Sequence, residues 1–439
     1  AHSFVGTGFR SLGAIMRVQG TLSDGRFAPW LLFVAAFCLR MAYLLLDYPV
    51  PPQDTADYDE IALNLLAGEG FVSRLTWFGY EMRSWRPPFY PFFLASVYGV
   101  WGYSHLAVKV VQALIGAGTV VLVWALACAL CRRAALLAGG LALCYGPLVA
   151  IPAEVMSETF FCFWIALAAW LMVVAEGRRN YLLLAGVVVG LAALTRPVGL
   201  LWGPAFAIVA VWRLRGVGVR QCIWVGAAVL LVVLPWSARN WQVHGAWVPI
   251  STHGGFILAR SNAFDPAWRQ ERGWGIAESF FHRFPSEIER DRHWYAQGKT
   301  FILEHPGYYL RLVVERFIRM WYFFRPDYNL WFMILMPFAL LGLRRYCFAG
   351  NFAYLSSFVA CSTLVFSAIL YGSTRFRLPL EPFFILFGAA YISDAWHDWD
   401  RRRLLAILGV VVIANLLIWW QQEPLRQLVL SGLNYFELR

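Results

Sequence analysis

Residues 51–91 have the sequence PPQDTADYDEIALNLLAGEGFVSRLTWFGYEMRSWRPPFYP, a polar segment whose acidic residues come first and whose basic residues come later. It directly follows the first long apolar run, Trp30 to Leu46. Because removing a charge from water is costly, a mostly apolar chain keeps such a segment at the watery edge of a membrane or in a functional cavity. The segment therefore predicts a membrane bundle with a polar mouth on one side.

The composition of the chain is that of an integral membrane protein. Hydrophobic residues make up 60% and charged residues 14%, against roughly 45–50% and about 25% in soluble domains. The net charge of +11 comes mostly from arginines in short clusters between apolar runs. That pattern is typical of topology signals and excludes nucleic acid as a partner. The eight cysteines show no repeated metal-ligand spacing, so we expect packing residues without a disulfide framework.

Apolar runs long enough to cross, or nearly cross, a bilayer recur along the chain. They predict an all-α integral membrane fold, a polytopic bundle of about 11 transmembrane helices with juxtamembrane helices on the outer face. The runs lie at about 28–48, 105–131, 134–152, 159–176, 181–195, 198–213, 221–237, 327–343, 351–371, 378–395 and 403–420.

Arginine clusters indicate which side each loop faces, since cytoplasmic loops carry the excess of basic residues. With the spans above, six clusters fall on one side, which we assign to the cytoplasm together with the N-terminus. They are Arg10/Arg17/Arg26, Arg132/Arg133, Arg178/Arg179, Arg213/Arg215/Arg220, Arg344/Arg345 and Arg401/Arg402/Arg403. Counting the aromatic, Pro- and Gly-rich piece Phe89 to Gly102 as a full span would place the later clusters outside. We therefore expect an interfacial or half-inserted helix there.

The same pattern predicts five segments. The N-terminal piece lacks the apolar core and cleavage site of a signal peptide, so we expect the first run to be a retained anchor. The long outer loop is expected to have strand-like and turn-like character before residue 262, with a break at Gly254–Gly255. One or two surface helices are expected over 285–324, interrupted at His305–Pro306. The segments are 1–27 (cytoplasmic), 28–237 (catalytic membrane module, including outer loop 49–104), 238–326 (periplasmic subdomain), 327–420 (C-terminal membrane helices) and 421–439 (periplasmic tail).

Asp54 is the candidate catalytic residue. Asp54, Asp57 and Tyr58 would share one face of a helix because they lie three and four residues apart. One interpretation is purely structural: Pro51–Pro52 ends the preceding helix and Asp54 caps the next one. The other is a carboxylate base at the outer mouth of the bundle. Both hold together if a capping carboxylate also reaches a substrate hydroxyl.

Arg83 and Arg86 lie on the outer side, against the general bias of cations. Each could extend to lipid headgroups. Arg86 precedes Pro87–Pro88, which favours an extended backbone and a fixed side-chain approach. A guanidinium held in this way suits a phosphate, which it binds with two hydrogen bonds.

Three further arginines are candidates for contact with a phosphate. Arg196 lies between two apolar runs at a predicted outer hairpin, where either the topology slips or the side chain enters a cavity; we favour the cavity. Arg375 and Arg377 are two residues apart and cannot both face inward from a regular helix, so we expect only one of them at the site.

Glu158 and His253 complete the candidate set. Glu158 opens a predicted span on the outer side, where it either stabilises the N-terminus of the helix or supplies a second carboxylate to the site. The histidines of the long loop have no metal-like spacing. Among them His253 is the candidate, because it is followed by Gly254–Gly255.

Several motifs in a shared order resemble the GT-C superfamily of polytopic glycosyltransferases. The similarity is to the bacterial branch related to dolichyl-phosphate-mannose protein mannosyltransferases and the lipid A aminoarabinose transferase, and it spans roughly Asp54 to Pro382. The motifs are DTADYDEIALNLLAGEGF, RPPFYPFFLA, SETFFCF, LTRPVGLL, LPWSARNW, STHGGF and TRFRLPLEP.

The resemblance implies transfer of a sugar from a polyprenyl-phosphate carrier with inversion at the anomeric carbon. It maps the family's first-loop acidic residue to Asp54, its basic residue before the loop proline to Arg86, and its second-loop acidic residue to Glu158. Some relatives bind a divalent metal through a Glu beside that basic residue. Here the neighbour is Trp85, which leaves metal dependence open.

The expected function is therefore lipid-linked glycosyl transfer in the bacterial inner membrane. The donor would be a polyprenyl-phosphate sugar, and the acceptor would be a hydroxyl group of the cell envelope. Membrane lipids would surround the protein. In this assignment Asp54 is the catalytic residue, four arginines bind the donor phosphate and the other candidates support the site or the acceptor. The alternatives are a glycan ligase or polymerase that uses a lipid pyrophosphate, and a flippase without chemistry. A transporter would carry charges deep inside broken spans, whereas these polar residues gather at the outer mouth.

Overall fold

The computed structural model shows an almost entirely helical chain. It describes residues 27–46, 55–74, 81–214, 216–262, 284–321, 326–370 and 374–398, with scattered residues between 406 and 424. Within these ranges the extended pairing is a single antiparallel bridge between Ser73 and Met82. The predicted all-α class is confirmed. Most of the predicted span 403–420, the C-terminal tail and Asp54 lie outside the described residues.

The helices follow the predicted runs closely. A single helical turn, Thr374–Arg377, precedes the last helix. In chain order they are α1 (Ala28–Leu46), α2 (Thr55–Leu66), α3 (Phe89–Trp101), α4 (His105–Leu130), α5 (Ala135–Cys144), α6 (Gly146–Ala150), α7 (Glu158–Ala175), α8 (Arg179–Thr195), α9 (Trp202–Leu214), α10 (Gly216–His244), α11 (Gly254–Asn262), α12 (Glu287–Glu304), α13 (Pro306–Trp321), α14 (Pro326–Tyr346), α15 (Phe352–Ala368) and α16 (Glu381–Asp398).

The lengths of these helices identify a multi-pass membrane protein. Among the described residues, α1, α4, α7 and the Gly218–His244 part of α10 are long and apolar enough to cross a bilayer. Helices α3, α8 and α15 and the segment Pro197–Trp212 are apolar but shorter. The 13-residue α3 is well below the roughly 20 residues that a span needs. The predicted total of about 11 spans stays a prediction.

The predicted span 134–152 is broken in the middle. Its two halves meet at an angle of 60°, with Tyr145 in an extended conformation between α5 and α6. Pro147 accounts for the break, because a proline lacks the backbone N–H that would continue the helix. The break leaves α6 and the turn that follows it directly before α7.

The core of the bundle depends on close helix contacts. Inside a membrane the hydrophobic effect does not drive helices together, so they associate through packing of small residues. At Gly186 a side chain on α8 would collide with the backbone carbonyl of Val225 on α10. At Gly342 a side chain on α14 would collide with the carbonyl of Phe387 on α16. These glycines therefore allow the two helix pairs to approach backbone to backbone.

The expected strand before residue 262 is wrong. Helix α10 continues to His244 and crosses the predicted boundary at residue 237, and the next helix begins at Gly254. The extended residues between them pair with side chains and not with a neighbouring strand. Trp236 Nε1 donates to the carbonyl of Ile250 at 2.8 Å, and Asn240 Nδ2 donates to Val248 at 3.1 Å. These hydrogen bonds fold the segment back onto the end of α10.

The two helices expected over 285–324 are present as α12 and α13. They are separated at His305, directly before Pro306. Ser286 caps the N-terminus of α12, where its hydroxyl accepts the Glu289 N–H at 3.2 Å. Along α13, large apolar side chains such as Leu310, Val314 and Phe317 are exposed. Contact of this face with the membrane surface stays a prediction.

Candidate active site

Arg86 and Asp57 form a mostly buried ion pair. The Nε and Nη2 groups of Arg86 donate to the same oxygen of Asp57, Oδ2, at 2.9 and 2.5 Å. The two side chains are only 13% and 7% exposed. The guanidinium carbon also lies 5.1 Å from the centre of the Tyr58 ring. The first turn of α2 thus holds Arg86 through both a charge and an aromatic ring.

The other oxygen of Asp57 is available. Oδ1 is buried and has no hydrogen-bond partner in the part of the chain that the structure describes. A buried carboxylate oxygen left in this state is costly. It therefore favours the approach of a hydrogen-bond donor, such as a sugar or acceptor hydroxyl.

Glu158 forms the second ion-pair cluster, with two arginines from distant parts of the chain. Arg196 Nη1 lies 2.5 Å from Glu158 Oε1, and Arg375 Nε donates to the same oxygen. Glu158 is 1% exposed, whereas Arg196 is 21% and Arg375 37% exposed. Two partly exposed guanidiniums thus contact one buried carboxylate.

Local structure explains how these three residues meet. Glu158 is the first residue of α7, where the helix dipole favours a negative charge. Arg196 follows the last turn of α8 in an extended conformation, since Pro197 disfavours a helical residue before it. Arg375 lies in the single turn that precedes α16. Three helix ends therefore deliver their side chains to one point.

The two ion-pair clusters share one edge of the bundle. Thr55 Oγ1, at the start of α2, donates to the carbonyl of Val155, just before α7, at 3.0 Å. Tyr58 and Met156 belong to the same buried apolar cluster, and Arg375 Nη2 lies 3.9 Å from Met156 Sδ. Together the clusters hold three arginines against two carboxylates. One positive charge is in excess, which suits an anionic ligand.

Arg377 lies elsewhere. It is fully buried, its Nε donates to Glu381 at 2.9 Å and its Nη1 donates to the Met320 carbonyl at 2.8 Å. Its guanidinium carbon lies 3.5 Å from the centre of the Phe332 ring. The structure therefore brings Arg375 but not Arg377 to the cluster, as the two-residue spacing requires.

Arg83 and His253 lie beside the site and do not join the ion pairs described above. The Arg83 side chain is 46% exposed and donates to Glu81 at 2.7 Å. The His253 ring lies 4.0 Å, centre to centre, from the ring of Trp85. Trp85 is the residue directly before Arg86, and His253 packs against its ring. His253 therefore supports the residue before Arg86.

The chain is similar to known proteins in sequence over part of its length and in fold over most of it. The family model described as dolichyl-phosphate-mannose-protein mannosyltransferase matches residues 85–238, a range that contains Arg86, Glu158 and Arg196. No curated protein matches the chain by sequence. Several solved structures, among them the following two, are similar over most of its length.

The first is the oligosaccharyltransferase AglB of Archaeoglobus fulgidus, solved with an inhibitory peptide and a dolichol-phosphate. It has 14% sequence identity and a TM-score of 0.58, over 89% of this chain and 53% of that one. The second is ArnT of Cupriavidus metallidurans bound to undecaprenyl phosphate, with 16% identity and a TM-score of 0.55, over 90% of this chain and 65% of that one.

The chain has the GT-C glycosyltransferase fold. It spans about half the length of the archaeal GT-C protein that it matches. Of the motifs quoted above, RPPFYPFFLA, SETFFCF and LTRPVGLL lie within the matched range and LPWSARNW overlaps its end, whereas STHGGF and TRFRLPLEP lie beyond it.

Two charged residues near the candidate site, Lys109 and Glu154, are not among the candidates predicted from the sequence. Lys109 is the one lysine of the apolar helix α4 and is 1% exposed. Glu154 precedes α7, and its pKa is raised by burial and by the nearby charge of Glu158, while Arg375 and Lys109 act against the rise. The sequence offers a signal for Lys109, because a charged residue within a long apolar run usually marks a functional position.

The described residues do not include a cluster of metal-ligating side chains. Across the described ranges, no three His, Cys, Asp or Glu side chains lie close enough to hold an ion.

Proposed function

We propose that this protein is an inverting glycosyltransferase that moves a sugar from a polyprenyl-phosphate donor to a hydroxyl acceptor on the periplasmic face of a bacterial inner membrane. The acceptor is a lipid, a glycan or a protein. The observation that carries the proposal is a pair of neighbouring ion-pair clusters. Arg86 pairs with Asp57 at the start of α2, Arg196 and Arg375 pair with Glu158 at the start of α7, and a hydrogen bond from Thr55 to Val155 links the two helix starts.

The arginines supply the electrostatic part of the reaction. The acceptor oxygen attacks the anomeric carbon as the bond from that carbon to the phosphate oxygen breaks, and the phosphate leaves with the bonding electron pair. Guanidiniums already oriented by Asp57 and Glu158 stabilise the charge that develops on this phosphate. A phosphate neutralised in this way is a good leaving group, so the reaction needs no strong general acid.

The partly exposed sides of Arg196 and Arg375 are the proposed phosphate contacts. Each pairs with Glu158 and is partly exposed, and a guanidinium has five N–H donors in a planar fork with which it can also bind the donor phosphate. Arg86 is the third proposed contact. Glu158 pairs through Oε1 with both Arg196 and Arg375, and its proposed role is to hold them in place.

Asp54 is proposed to accept or orient the proton of the acceptor hydroxyl. It directly precedes α2, whose first turn carries Asp57 and Tyr58. The proton lost by the acceptor passes to this carboxylate during the attack. Asp57 Oδ1 is a second oxygen on the same helix end for a substrate hydroxyl.

The bound molecules of the similar structures support a polyprenyl-phosphate ligand. ArnT of Cupriavidus metallidurans was solved with undecaprenyl phosphate, and AglB of Archaeoglobus fulgidus with a dolichol-phosphate. Both ligands join a phosphate to an isoprenoid chain, which matches a positive cluster at the edge of an apolar bundle. The proposed side of the membrane rests on the arginine clusters of alternate loops.

Release of free lipid phosphate tests the proposal. The purified protein is incubated with a panel of polyprenyl-phosphate sugars, and the free polyprenyl phosphate is measured. We expect release that depends on an added acceptor and falls by at least about 100-fold in Asp54→Ala and Arg86→Ala. Loss of only a few-fold in both variants would show that the reaction centre lies elsewhere. Activity confined to pyrophosphate-linked glycans would favour the ligase alternative.

A further inference from the structure

The backbone of Arg83 and Ser84, just before Arg86, is held by a side chain more than 200 residues away. Glu287 Oε2 accepts the N–H of Arg83 at 2.8 Å, and Glu287 Oε1 accepts the N–H of Ser84 at 3.1 Å. Glu287 is the first residue of α12 and is 4% exposed. One buried carboxylate therefore binds two consecutive backbone amides of the first outer loop.

The two carbonyls of the same dipeptide are also satisfied. Arg239 Nη1 donates to the carbonyl of Arg83 at 2.5 Å, and the N–H of Thr252 donates to the carbonyl of Ser84 at 2.9 Å. The Thr252 hydroxyl in turn donates to Glu287. All four backbone polar groups of Arg83–Ser84 are thus bound by α10, α12 and the segment between α10 and α11.

This arrangement determines where the next two residues lie. The Trp85 ring is fixed between His253, at 4.0 Å, and the guanidinium of Arg290, at 4.6 Å. On its other side Arg86 is followed by Pro87–Pro88 and the start of α3. With both flanks immobilised, the backbone of Arg86 has little freedom to move away from Asp57.

Among the described residues, the basic side chain nearest to Glu287 is that of His244, whose Nε2 lies 3.8 Å from Oε2. That distance is longer than a hydrogen bond. A carboxylate buried at this depth needs several donors to offset its lost hydration. The amides of Arg83 and Ser84 and the Thr252 hydroxyl supply them.

We infer that Glu287 is a positioning residue for Arg86, through which the outer helix α12 sets the geometry of the donor-phosphate site. The inference rests on the proposed function for its effect on phosphate binding. The contact between Glu287 and the first outer loop is independent of that function. Removing the carboxylate leaves the backbone N–H groups of Arg83 and Ser84 without an acceptor. The loop then shifts so that these groups reach water, and the shift displaces Arg86 from its position beside Asp57.

The contact itself is tested by hydrogen exchange of the intact protein in detergent or nanodiscs. We expect the amides of Arg83 and Ser84 to exchange at least about tenfold faster in Glu287→Ala than in the wild type, because each loses its acceptor. Glu289→Ala is the matched control, since Glu289 is exposed on the same helix two residues away. Unchanged exchange in Glu287→Ala, or equal acceleration in Glu289→Ala, would overturn the inference.

The effect on the site is tested by binding of undecaprenyl phosphate in a double-mutant cycle with Arg86→Ala. We expect Glu287→Ala to weaken binding about tenfold when Arg86 is present and less than twofold when it is absent. Equal weakening in both backgrounds would assign a general structural role and overturn the inference. Glu287→Gln, which keeps one acceptor oxygen in the same shape, should recover part of both the exchange protection and the binding.

Failure of the two proposals gives different results. If the wild type does not bind undecaprenyl phosphate, the proposed function is wrong, while the exchange rates of Arg83 and Ser84 still decide whether Glu287 holds the loop. If the wild type binds the lipid and Glu287→Ala binds it equally well, the proposed function survives and the positioning role does not. Should Glu287→Ala fail to fold, Glu287→Gln carries both measurements.

Discussion

Arg375 donates a hydrogen bond to Glu158 across 217 residues of sequence. The pair joins the turn before α16 to the start of α7, and Arg196 completes it from the end of α8. Three helix ends that are separate in the sequence therefore share one buried charge. This contact draws the N-terminal and C-terminal membrane helices together at the proposed site.

Loss of the shared carboxylate should reduce stability. In Glu158→Ala, two arginines that face a buried oxygen lose their partner, and breaking a buried ion pair costs about 3–5 kcal/mol. Partial exposure of both arginines lowers this figure, so we expect a loss of about 2–3 kcal/mol. Thermal unfolding in detergent measures it, with the exposed Glu304→Ala as control. A change in melting temperature no larger than that of Glu304→Ala would contradict the proposed role.

Arg83 and Arg86 should differ strongly although they are three residues apart. Arg86→Ala removes a mostly buried guanidinium from the proposed phosphate site and should lower the transfer rate by about 10²–10³. Arg83→Ala removes a half-exposed side chain that pairs with Glu81, a type of contact worth less than about 1 kcal/mol. We expect it to retain at least a third of the activity. Steady-state rates of lipid phosphate release compare them, and similar losses in both would contradict the placement of the site.

Arg375 and Arg377 should separate activity from stability. Arg375→Ala should lower kcat by about 100-fold with a small change in melting temperature, because its side chain is partly exposed and faces the proposed donor. Arg377→Ala leaves Glu381 buried and unpaired and should destabilise the protein by about 3–5 kcal/mol. Rates and unfolding curves measured on the same preparations test this separation. A stable but inactive Arg377→Ala would reverse the assignment.

Asp291 should make the stability of the outer helices depend on pH. Burial raises its pKa from the usual 3.8 to about 6, although the Gly255 N–H and Arg290 oppose the rise. Because the folded state binds the proton more tightly, stability falls as the pH rises from about 4 to about 6 and is constant above that range. Asp291→Asn keeps an acceptor for the Gly255 N–H, which is 2.8 Å from Asp291 Oδ1.

We therefore expect Asp291→Asn to be as stable as the wild type or more so at pH 8, with a flatter profile between pH 4 and 6. Chemical denaturation across this range provides the measurement. Glu289→Gln, an exposed carboxylate on the same helix, should leave the slope unchanged. A slope that persists in Asp291→Asn would assign the pH dependence to another group.

The broad architecture follows from the sequence because it depends on local composition. Apolar runs predict helices, and the bounds of α1, α4 and α7 agree with prediction to within two residues. The break at His305–Pro306 also follows from local sequence, because a proline disfavours a helical backbone conformation in the residue before it. The exclusion of one of Arg375 and Arg377 also needs only the geometry of a helical turn.

Contacts between distant segments decide the rest. The strand-like residues before 252 are not in a sheet, because the side chains of Trp236 and Asn240 on α10 satisfy their carbonyls. The sequence alone could place Arg196 in a cavity but could not show that Glu158 would meet it, or that Glu287 would bind the loop of Arg86. Hydropathy and backbone restrictions act within a few residues and are visible in the sequence. Pairing of buried charges depends on which helix ends meet, and only the tertiary structure determines that.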